Sequence, residues 1–182
     1  MWLRKSIHIA SGILGLAVLF LPKPAYFSLC AAALVASGIT DVIRMRAGLA
    51  GPLAWFRKVF KAREERRVSG ATALAVSYTF MAGLFPPEVA AFAILFMALG
   101  DPAASFFGKF IPIYRVRSKS IGGALGFLLV GLGLSLALPG PSLGIKIFAS
   151  VIGCLVELFT EDIDDNFTVP ISVGLAFLPF LL

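Results

Sequence analysis

Residues 88–107 read EVAAFAILFMALGDPAASFF, and only Glu88 and Asp101 in this run are charged. About twenty mainly apolar residues are what a helix needs to cross the hydrocarbon core of a membrane. Six further apolar runs flank it, and we expect helices there at residues 6–21, 25–43, 70–86, 121–138, 142–159 and 169–182. The chain is therefore predicted to be an all-α, polytopic membrane protein of about seven transmembrane helices, with one domain over residues 1–182.

The composition supports a membrane protein. Of the 182 residues, 59% are hydrophobic and 14% are charged, and the mean hydropathy is +0.94. Average soluble domains are about half apolar and a quarter charged. These values exclude disorder, a collagen-like chain and a disulfide scaffold. Cys30 and Cys154 lie inside apolar runs without zinc-binding spacing, and we interpret them as buried thiols.

The positive charges predict the orientation. The net charge is +6, but the basic residues lie beside the predicted spans, so we interpret them as topology signals and not as a nucleic-acid surface. With seven spans, fourteen lysines and arginines fall on the side of the N-terminus, and only Lys23 and Lys146 fall opposite. Cytoplasmic loops carry such an excess. We expect a multi-pass protein of the cell's inner membrane, with a cytoplasmic N-terminus and an outside C-terminus.

The segment at about 44–69 is basic and amphipathic. Trp55, Phe56 and Phe60 form an apolar stripe beside Arg57 and Lys58. This pattern is typical of a helix that lies along the membrane surface. The end of the segment also brings positive charge to where a nucleotide could be reached.

Asp101 is the first candidate for chemistry. A carboxylate inside an apolar helix is costly, so such residues are functional candidates by default. Asp101, Ser105 and Lys109 are spaced four residues apart and share one predicted helix face. The alternative is a structural carboxylate that caps a helix or pairs with a nearby arginine.

Residues 115–127, RVRSKSIGGALGF, form a basic loop that runs into glycines at the start of the fifth predicted span. Glycines such as Gly122 and Gly123 let backbone amides approach a phosphate, and Lys119 can supply a positive charge. The alternative is a topology-setting loop followed by a glycine packing face. Small residues such as Gly126 could pack helices within one chain or between two copies, so a homo-oligomer is also possible.

Residues 156–170, VELFTEDIDDNFTVP, are unusually acidic. Glu157, Glu161 and Asp164 recur at helical spacing, and Asp165-Asn166 precede the last predicted span. Oxygen ligands with room for water and phosphate are what Mg²⁺ prefers, although an acidic surface loop is the alternative.

The N-terminal run RKSIHIASG places Arg4 and His8 one turn apart at a membrane interface. Interfacial basic residues are usually anchors. His8 is the single histidine of the chain and could bond a phosphate or relay a proton near neutral pH.

These motifs, in this order, resemble the CTP-dependent lipid kinases: dolichol kinase, phytol and farnesol kinases, and the yeast-type diacylglycerol kinase. The matching pieces are RKSIHIASG (4–12), RRVSGAT (66–72), GDPAASFFGK (100–109), KSIGGALGF (119–127) and DDNFTVP (164–170). Phosphatidate cytidylyltransferases carry a similar pair of central motifs. Their C-terminal His-Gly-Gly with a following Asp-Arg is absent from this sequence.

The resemblance implies transfer of the γ-phosphate of a cytosolic nucleotide, CTP or another nucleoside triphosphate, to the hydroxyl of a membrane lipid alcohol. The alcohol would be a polyprenol, a phytol-like alcohol or diacylglycerol, and Mg²⁺ would be the cofactor. The implied catalytic residues are Asp101, His8 and Asp164. The implied nucleotide-binding residues are Lys119, Ser120, Gly122, Gly123, Lys109, Arg67 and Asn166. The implied metal ligands are Asp101, Asp164, Asp165 and Glu157.

Two other functions are kept as alternatives. A phosphatidate cytidylyltransferase would use the same nucleotide but make a CDP-lipid. A small transporter would be expected to carry polar residues at mid-membrane depth and an inverted repeat, and the sequence shows neither pattern clearly.

Overall fold

The computed structural model describes residues 2–47, 67–111, 114–161 and 163–181, and it confirms the all-helical prediction for them. The helices are α1 (Trp2–Phe20), α2 (Lys23–Ala47), α3 (Gly70–Leu84), α4 (Pro87–Phe110), α5 (Ile121–Ala137), α6 (Leu143–Phe159) and α7 (Asp165–Phe177). A short 3-10 helix, Leu178–Phe180, follows α7. Two strands of two residues each, β1 (Arg115–Val116) and β2 (Lys119–Ser120), pair as an antiparallel hairpin between α4 and α5.

Helix boundaries follow the predicted runs to within three residues except at four positions. Helix α1 begins at Trp2 and not at residue 6, α7 ends at Phe177 and not at residue 182, and the start of α7 and the end of α2 also differ. The last helix begins at Asp165 and not at residue 169, because the Asp164 side chain caps it by accepting from the amide of Asn166 at 3.0 Å. Helix α2 continues to Ala47, so Arg44 belongs to its last turn and not to a loop. Most of the predicted amphipathic segment, residues 48–66, lies outside the described residues.

Helix lengths limit how many candidate membrane spans can be recognised. Among the described residues, Lys23–Arg46 and Pro87–Phe110 are long and apolar enough to cross a membrane. Lys5–Phe20, Gly70–Leu84 and Ile121–Ala137 are apolar but shorter. Helices below twenty residues reach roughly 20–28 Å, against about 30 Å for a typical hydrocarbon core. By length and composition the described residues therefore give two candidate spans, and the crossing of about seven helices stays a prediction.

Helix α4 is the centre of the bundle. It packs against α1, α3, α5 and α7, and its first half from Val89 to Ala98 is buried. Phe96 meets Phe127 of α5 edge-on with ring centroids 4.6 Å apart. Gly153 of α6 lies against the ring of Phe96, and a β-carbon at Gly153 would come within 2.4 Å of that ring. This close approach requires glycine.

Consecutive helices run in alternating directions, and short connections join most of them. The α2–α3 pair, which a longer segment joins, is antiparallel because Phe27 early in α2 lies against Gly83 late in α3, while Asp41 late in α2 contacts Ser69. The contacts of α1 with α4 run in opposite order, since Gly12 faces Ala98 and the later Gly15 faces Leu95. The starts of α1, α3, α5 and α7 therefore lie at the same end of the bundle as the ends of α2, α4 and α6. This arrangement gathers the polar motifs of the sequence at one end.

A buried clamp joins α2 to α3 at this end. The Asp41 carboxylate accepts from the guanidinium of Arg44 at 2.9 Å and from the amide of Ser69 at 2.8 Å. The same guanidinium donates to the carbonyl oxygen of Arg67 at 2.6 Å. Asp41, Arg44 and Ser69 are all buried. The clamp thereby fixes the two chain ends that flank residues 48–66.

Candidate functional site

A cavity of about 460 Å³ lies at the polar end of the bundle. Its polar side chains come from α4, the hairpin and α6, and include Asp101, Ser105, Lys109, Arg115, Lys119 and Glu157. Three motifs that the sequence presents separately, around Asp101, Lys119 and Glu157, thus converge on one space.

The helix face predicted around Asp101 is confirmed. Asp101, Ser105 and Lys109 all line the cavity. Helix α4 continues past Pro102 to Phe110, so positions four apart stay stacked along one side. Lys109 lies in the last turn, where a positive charge also interacts favourably with the helix dipole.

Asp101 has two cationic or titratable neighbours on α1. The Lys5 ammonium lies 2.5 Å from Oδ2 of Asp101, and Nδ1 of His8 lies 3.4 Å from the same oxygen. The His8 side chain is buried. Among the described side chains the ion pair is made with Lys5 and not with an arginine, and a structural role for Asp101 stays an alternative. His8 is therefore brought to the candidate site, while the side chain of Arg4 lies outside the described residues.

Lys119 links the hairpin to α6 and α7. Its ammonium lies 3.0 Å from Oε1 of Glu157 and 3.2 Å from Oδ2 of Asp165, and it also donates to the carbonyl oxygen of Glu157. Burial alone would lower the pKa of Lys119, but the carboxylates of Asp165 and Glu157 outweigh it and raise that pKa above its usual value. Lys119 therefore stays charged at any physiological pH.

A second contact latches the hairpin to the segment that follows α6. Glu161 accepts through Oε1 from the amide of Ser118 at 2.8 Å and from its hydroxyl at 2.5 Å. These hydrogen bonds, first that of the hydroxyl and then that of the amide, lower the pKa of Glu161 below its usual value. Arg117, beside Ser118, has a φ of 56°, in the left-handed region that a non-glycine residue adopts at a cost. The latch and the Lys119 contacts hold this turn.

We expect the latch to weaken in acid. Because the pKa of Glu161 is lower in the folded state than its unfolded value of about 4.3, the contact is fully present above that value. It is lost as the pH falls through the folded pKa. Hydrogen exchange should show the amide of Ser118 losing protection between about pH 5 and pH 2, after correction for intrinsic rates. Glu161→Gln should remove this pH dependence, and a pH-independent Ser118 amide in the unaltered protein would contradict the assignment.

The acidic residues of the 156–170 run lie in different elements and do not form the single helix face that their spacing predicts. Glu157, Glu161 and Asp164 do not share a helix face, because α6 ends at Phe159 and Asp164 caps α7. Asn166 donates its side-chain amide to Asp164 at 2.6 Å, and its carbonyl oxygen accepts from Ser77 of α3 at 2.8 Å. Asp164 and Asn166 thus make contacts that anchor the start of α7 and do not line the cavity. Asp165 reaches the site through Lys119.

The remaining predicted residues divide between cavity and scaffold. Ser120 and Gly123 line the cavity, and Ser120 also caps α5 by accepting from the amide of Gly123 at 3.0 Å. Gly122 lies against the carbonyl oxygen of Ile111, where a β-carbon would come within 1.9 Å. Arg67 does not line the cavity; its carbonyl oxygen belongs to the buried clamp. Gly126 packs inside the chain against Phe107.

Three residues of the site were not singled out from the sequence: Lys5, Arg115 and Ser118. A usable signal existed for Lys5, because it lies three residues before His8 and shares a helix face with it. Arg115 and Ser118 are placed by the hairpin, and the sequence carries no Asn-Gly or Asp-Gly pair to announce that turn.

The cavity carboxylates are suited to a metal ion that is bound together with a nucleotide. Within the described residues there is no group of three or more His, Cys, Asp or Glu that could hold a metal ion. Mg²⁺ in nucleotide-using sites is often bound by one or two carboxylates together with substrate phosphates and water. Asp101 of α4 and Glu157 of α6 line the same cavity and are suited to that manner of binding. The donor set therefore fits Mg²⁺ that arrives with a nucleotide.

The charges of the cavity define what it can bind. Lys109, Arg115 and Lys119 are three cations beside the carboxylates of Asp101 and Glu157. Lysine and arginine bind phosphate oxygens through charge-assisted hydrogen bonds, and a neighbouring carboxylate can accept a proton. The cavity suits chemistry on a polyphosphate.

Comparison with protein-family models, curated proteins and solved structures found no match for the chain.

Proposed function

We propose that the protein is a membrane-embedded lipid kinase. It would transfer the γ-phosphate of a cytosolic nucleotide, with CTP as the first candidate, to the hydroxyl of a polyprenol, a phytol-like alcohol or diacylglycerol. The observation that carries the proposal is the meeting of Asp101, Lys109, Lys119 and Glu157 in one cavity. The motif resemblance supports the same activity.

Phosphoryl transfer depends mainly on positioning and on neutralising charge, and there is little covalent chemistry for the protein to supply. In the proposed reaction, Lys109, Arg115 and Lys119 hold the phosphates of the nucleotide. The lipid hydroxyl attacks the γ-phosphorus, the bond from that phosphorus to the bridging oxygen breaks, and the nucleoside diphosphate leaves. Asp101 or His8 would accept the hydroxyl proton; Oδ2 of Asp101 and Nδ1 of His8 lie 3.4 Å apart.

Mg²⁺ bound with the nucleotide would neutralise charge on the phosphates. Asp101 and Glu157 are the cavity carboxylates suited to hold it. Asp165, which contacts Lys119, is a further candidate.

The proposal includes an orientation in which all seven helices cross the membrane and the cavity faces the cytoplasm. The excess of lysine and arginine at the polar end supports it, and a cytoplasmic nucleotide would then reach the cavity directly. Helices below twenty residues would cross by tilting or by thinning the bilayer locally.

The orientation predicts the behaviour of fused reporters. A reporter that is active only in the cytoplasm should work when joined before Met1 and be silent when joined after Leu182. Activity at both ends would show an even number of crossings, with the 13-residue α7 as the first helix to doubt.

The proposed reaction is tested with CTP labelled separately at the α and γ phosphates. The purified protein is incubated with Mg²⁺, a panel of lipid alcohols, and phosphatidate as the cytidylyltransferase substrate. We expect label from the γ position alone in the lipid product. Label from the α position in the lipid product would show that the activity is that of a cytidylyltransferase and not of a kinase. No labelled lipid from CTP, ATP, GTP or UTP would overturn the proposal.

A further inference from the structure

Lys5 is the one lysine or arginine that contacts Asp101 directly among the residues the structure describes. Its ammonium reaches across from α1 to a carboxylate 96 residues away, and also lies 3.4 Å from the carbonyl oxygen of Asp101. The side chains are 15% and 21% exposed. Neither side chain is therefore fully buried. Asp101 is the member of the pair that lines the cavity, so the Lys5 ammonium lies 2.5 Å from a cavity-lining carboxylate.

The charge balance of the cavity gives this ion pair a further use. Lys119 is shared by two carboxylates, so its ammonium is strongly held. Lys5 has a single carboxylate partner, Asp101, within the described part of the chain. A bound triphosphate adds about four negative charges beside the existing carboxylates of the cavity. Of these two ion-paired lysines, Lys5 has the fewer carboxylate partners and is the more easily drawn to the phosphates.

Resting on the proposed nucleotide-binding cavity, we propose that Lys5 is a further phosphate-binding residue, whose ammonium passes from Asp101 to the polyphosphate when the ligand binds. An ammonium carries three N–H donors, so it can keep one contact with Asp101 while it donates to a phosphate oxygen. The exchange leaves Asp101 with an open lone pair for a proton or for the metal of the nucleotide.

A purely structural Lys5 has a different signature. If Lys5 only neutralised Asp101, its removal would weaken polyphosphate binding by leaving an unpaired carboxylate in the cavity. That effect would vanish once Asp101 was itself made neutral. A Lys5 that touches phosphate is needed whether or not Asp101 carries charge.

The test is a double-mutant cycle on binding, which needs no turnover. Inorganic tripolyphosphate is titrated by calorimetry into the detergent-solubilised protein, without divalent cations and at one fixed low salt concentration. The variants are Lys5→Gln, Asp101→Asn and the two combined. Gln and Asn can still hydrogen-bond, so the combined variant keeps a neutral contact between α1 and α4. Arg46→Gln is the matched control, because Arg46 is an exposed cation in the last turn of α2 outside the cavity lining.

We expect Asp101→Asn to tighten tripolyphosphate binding, because it removes a repelling charge and releases Lys5. Lys5→Gln should weaken binding about tenfold or more in both backgrounds, as loss of a charge-assisted contact predicts. Lys5→Arg should retain most of the affinity. Arg46→Gln should change it little.

Each contrary outcome is separable. No effect of Lys5→Gln in the Asp101→Asn background would overturn the proposal, as would an equal loss in Arg46→Gln. No binding of tripolyphosphate to the unaltered protein would overturn both this proposal and the nucleotide site. Lys5-dependent binding in a protein that labels no lipid would leave Lys5 in its role and overturn only the kinase. Lys5→Met serves as the second neutral variant if circular dichroism shows that Lys5→Gln is misfolded.

Discussion

Asp101→Asn is expected to lower lipid phosphorylation per folded molecule by about 100-fold or more. The amide keeps the size of the side chain but removes the charge that would hold the metal of the nucleotide or accept the hydroxyl proton. Folding should change little, because a neutral amide is easier to hold in an apolar helix than a carboxylate. Activity is measured across a Mg²⁺ titration and divided by the folded fraction from a thermal melt.

Glu88→Gln is the matched control for this change. It makes the same acid-to-amide substitution on the same helix, in the first turn of α4 at the opposite end. Its turnover should be close to that of the unaltered protein. A folded Asp101→Asn protein with normal turnover and normal Mg²⁺ dependence would contradict the catalytic role. A destabilised protein whose folded fraction works normally would make Asp101 a structural partner of Lys5.

Lys119→Ala is expected to weaken nucleotide handling by ~2–4 kcal/mol, a rise in the KM for nucleotide of roughly 30- to 900-fold. The charge lost is one that the cavity would use to hold phosphate. The structure adds a second effect, because Glu157 and Asp165 lose their shared cation and are left partly buried, 12% and 24% exposed. We therefore expect a lower melting temperature as well, although sequence alone places Lys119 in a loop whose alteration should not disturb folding.

Lys119→Arg separates the two effects. Arginine keeps the charge and can still pair with the carboxylates, so the melting temperature should recover. Nucleotide KM, measured per folded molecule, should recover at least in part. A Lys119→Ala protein with a lower melting temperature but an unchanged KM for nucleotide would show that Lys119 only stabilises the contact between the hairpin and α6.

The sequence predicts the helices well because their boundaries are chemically marked. Helix α4 begins at a pair of prolines, Pro86 and Pro87, and α3 begins after Ser69, which caps it. The sequence predicts the start of α7 four residues late, because the acidic run before it resembles a loop. In the structure Asp164 and Asp165 are helix-starting residues, favoured there by capping and by the helix dipole.

The site is less predictable, because it depends on which helices meet. Spacing along one helix is enough to join Asp101 to Lys109. The contact of Lys5 with Asp101 depends on α1 packing closely on α4, where Gly15 leaves space for Leu95. The reach of Lys119 to Asp165 depends on a hairpin whose turn residue, Arg117, adopts a positive φ without the glycine that would have revealed it.

The buried clamp of Asp41, Arg44 and Ser69 holds the end of α2 against the start of α3. We therefore expect the stability of the bundle to depend little on the length of chain between these two helices. Both ends of residues 48–66 are already held at fixed points, so the closure entropy of a longer flexible insert grows only slowly, by about 0.6 kcal/mol for each doubling of its length. A fluorescent protein or an affinity tag could therefore be spliced into this segment without pulling on the cavity. The clamp thereby offers a position between α2 and α3 at which a label can be attached to the protein.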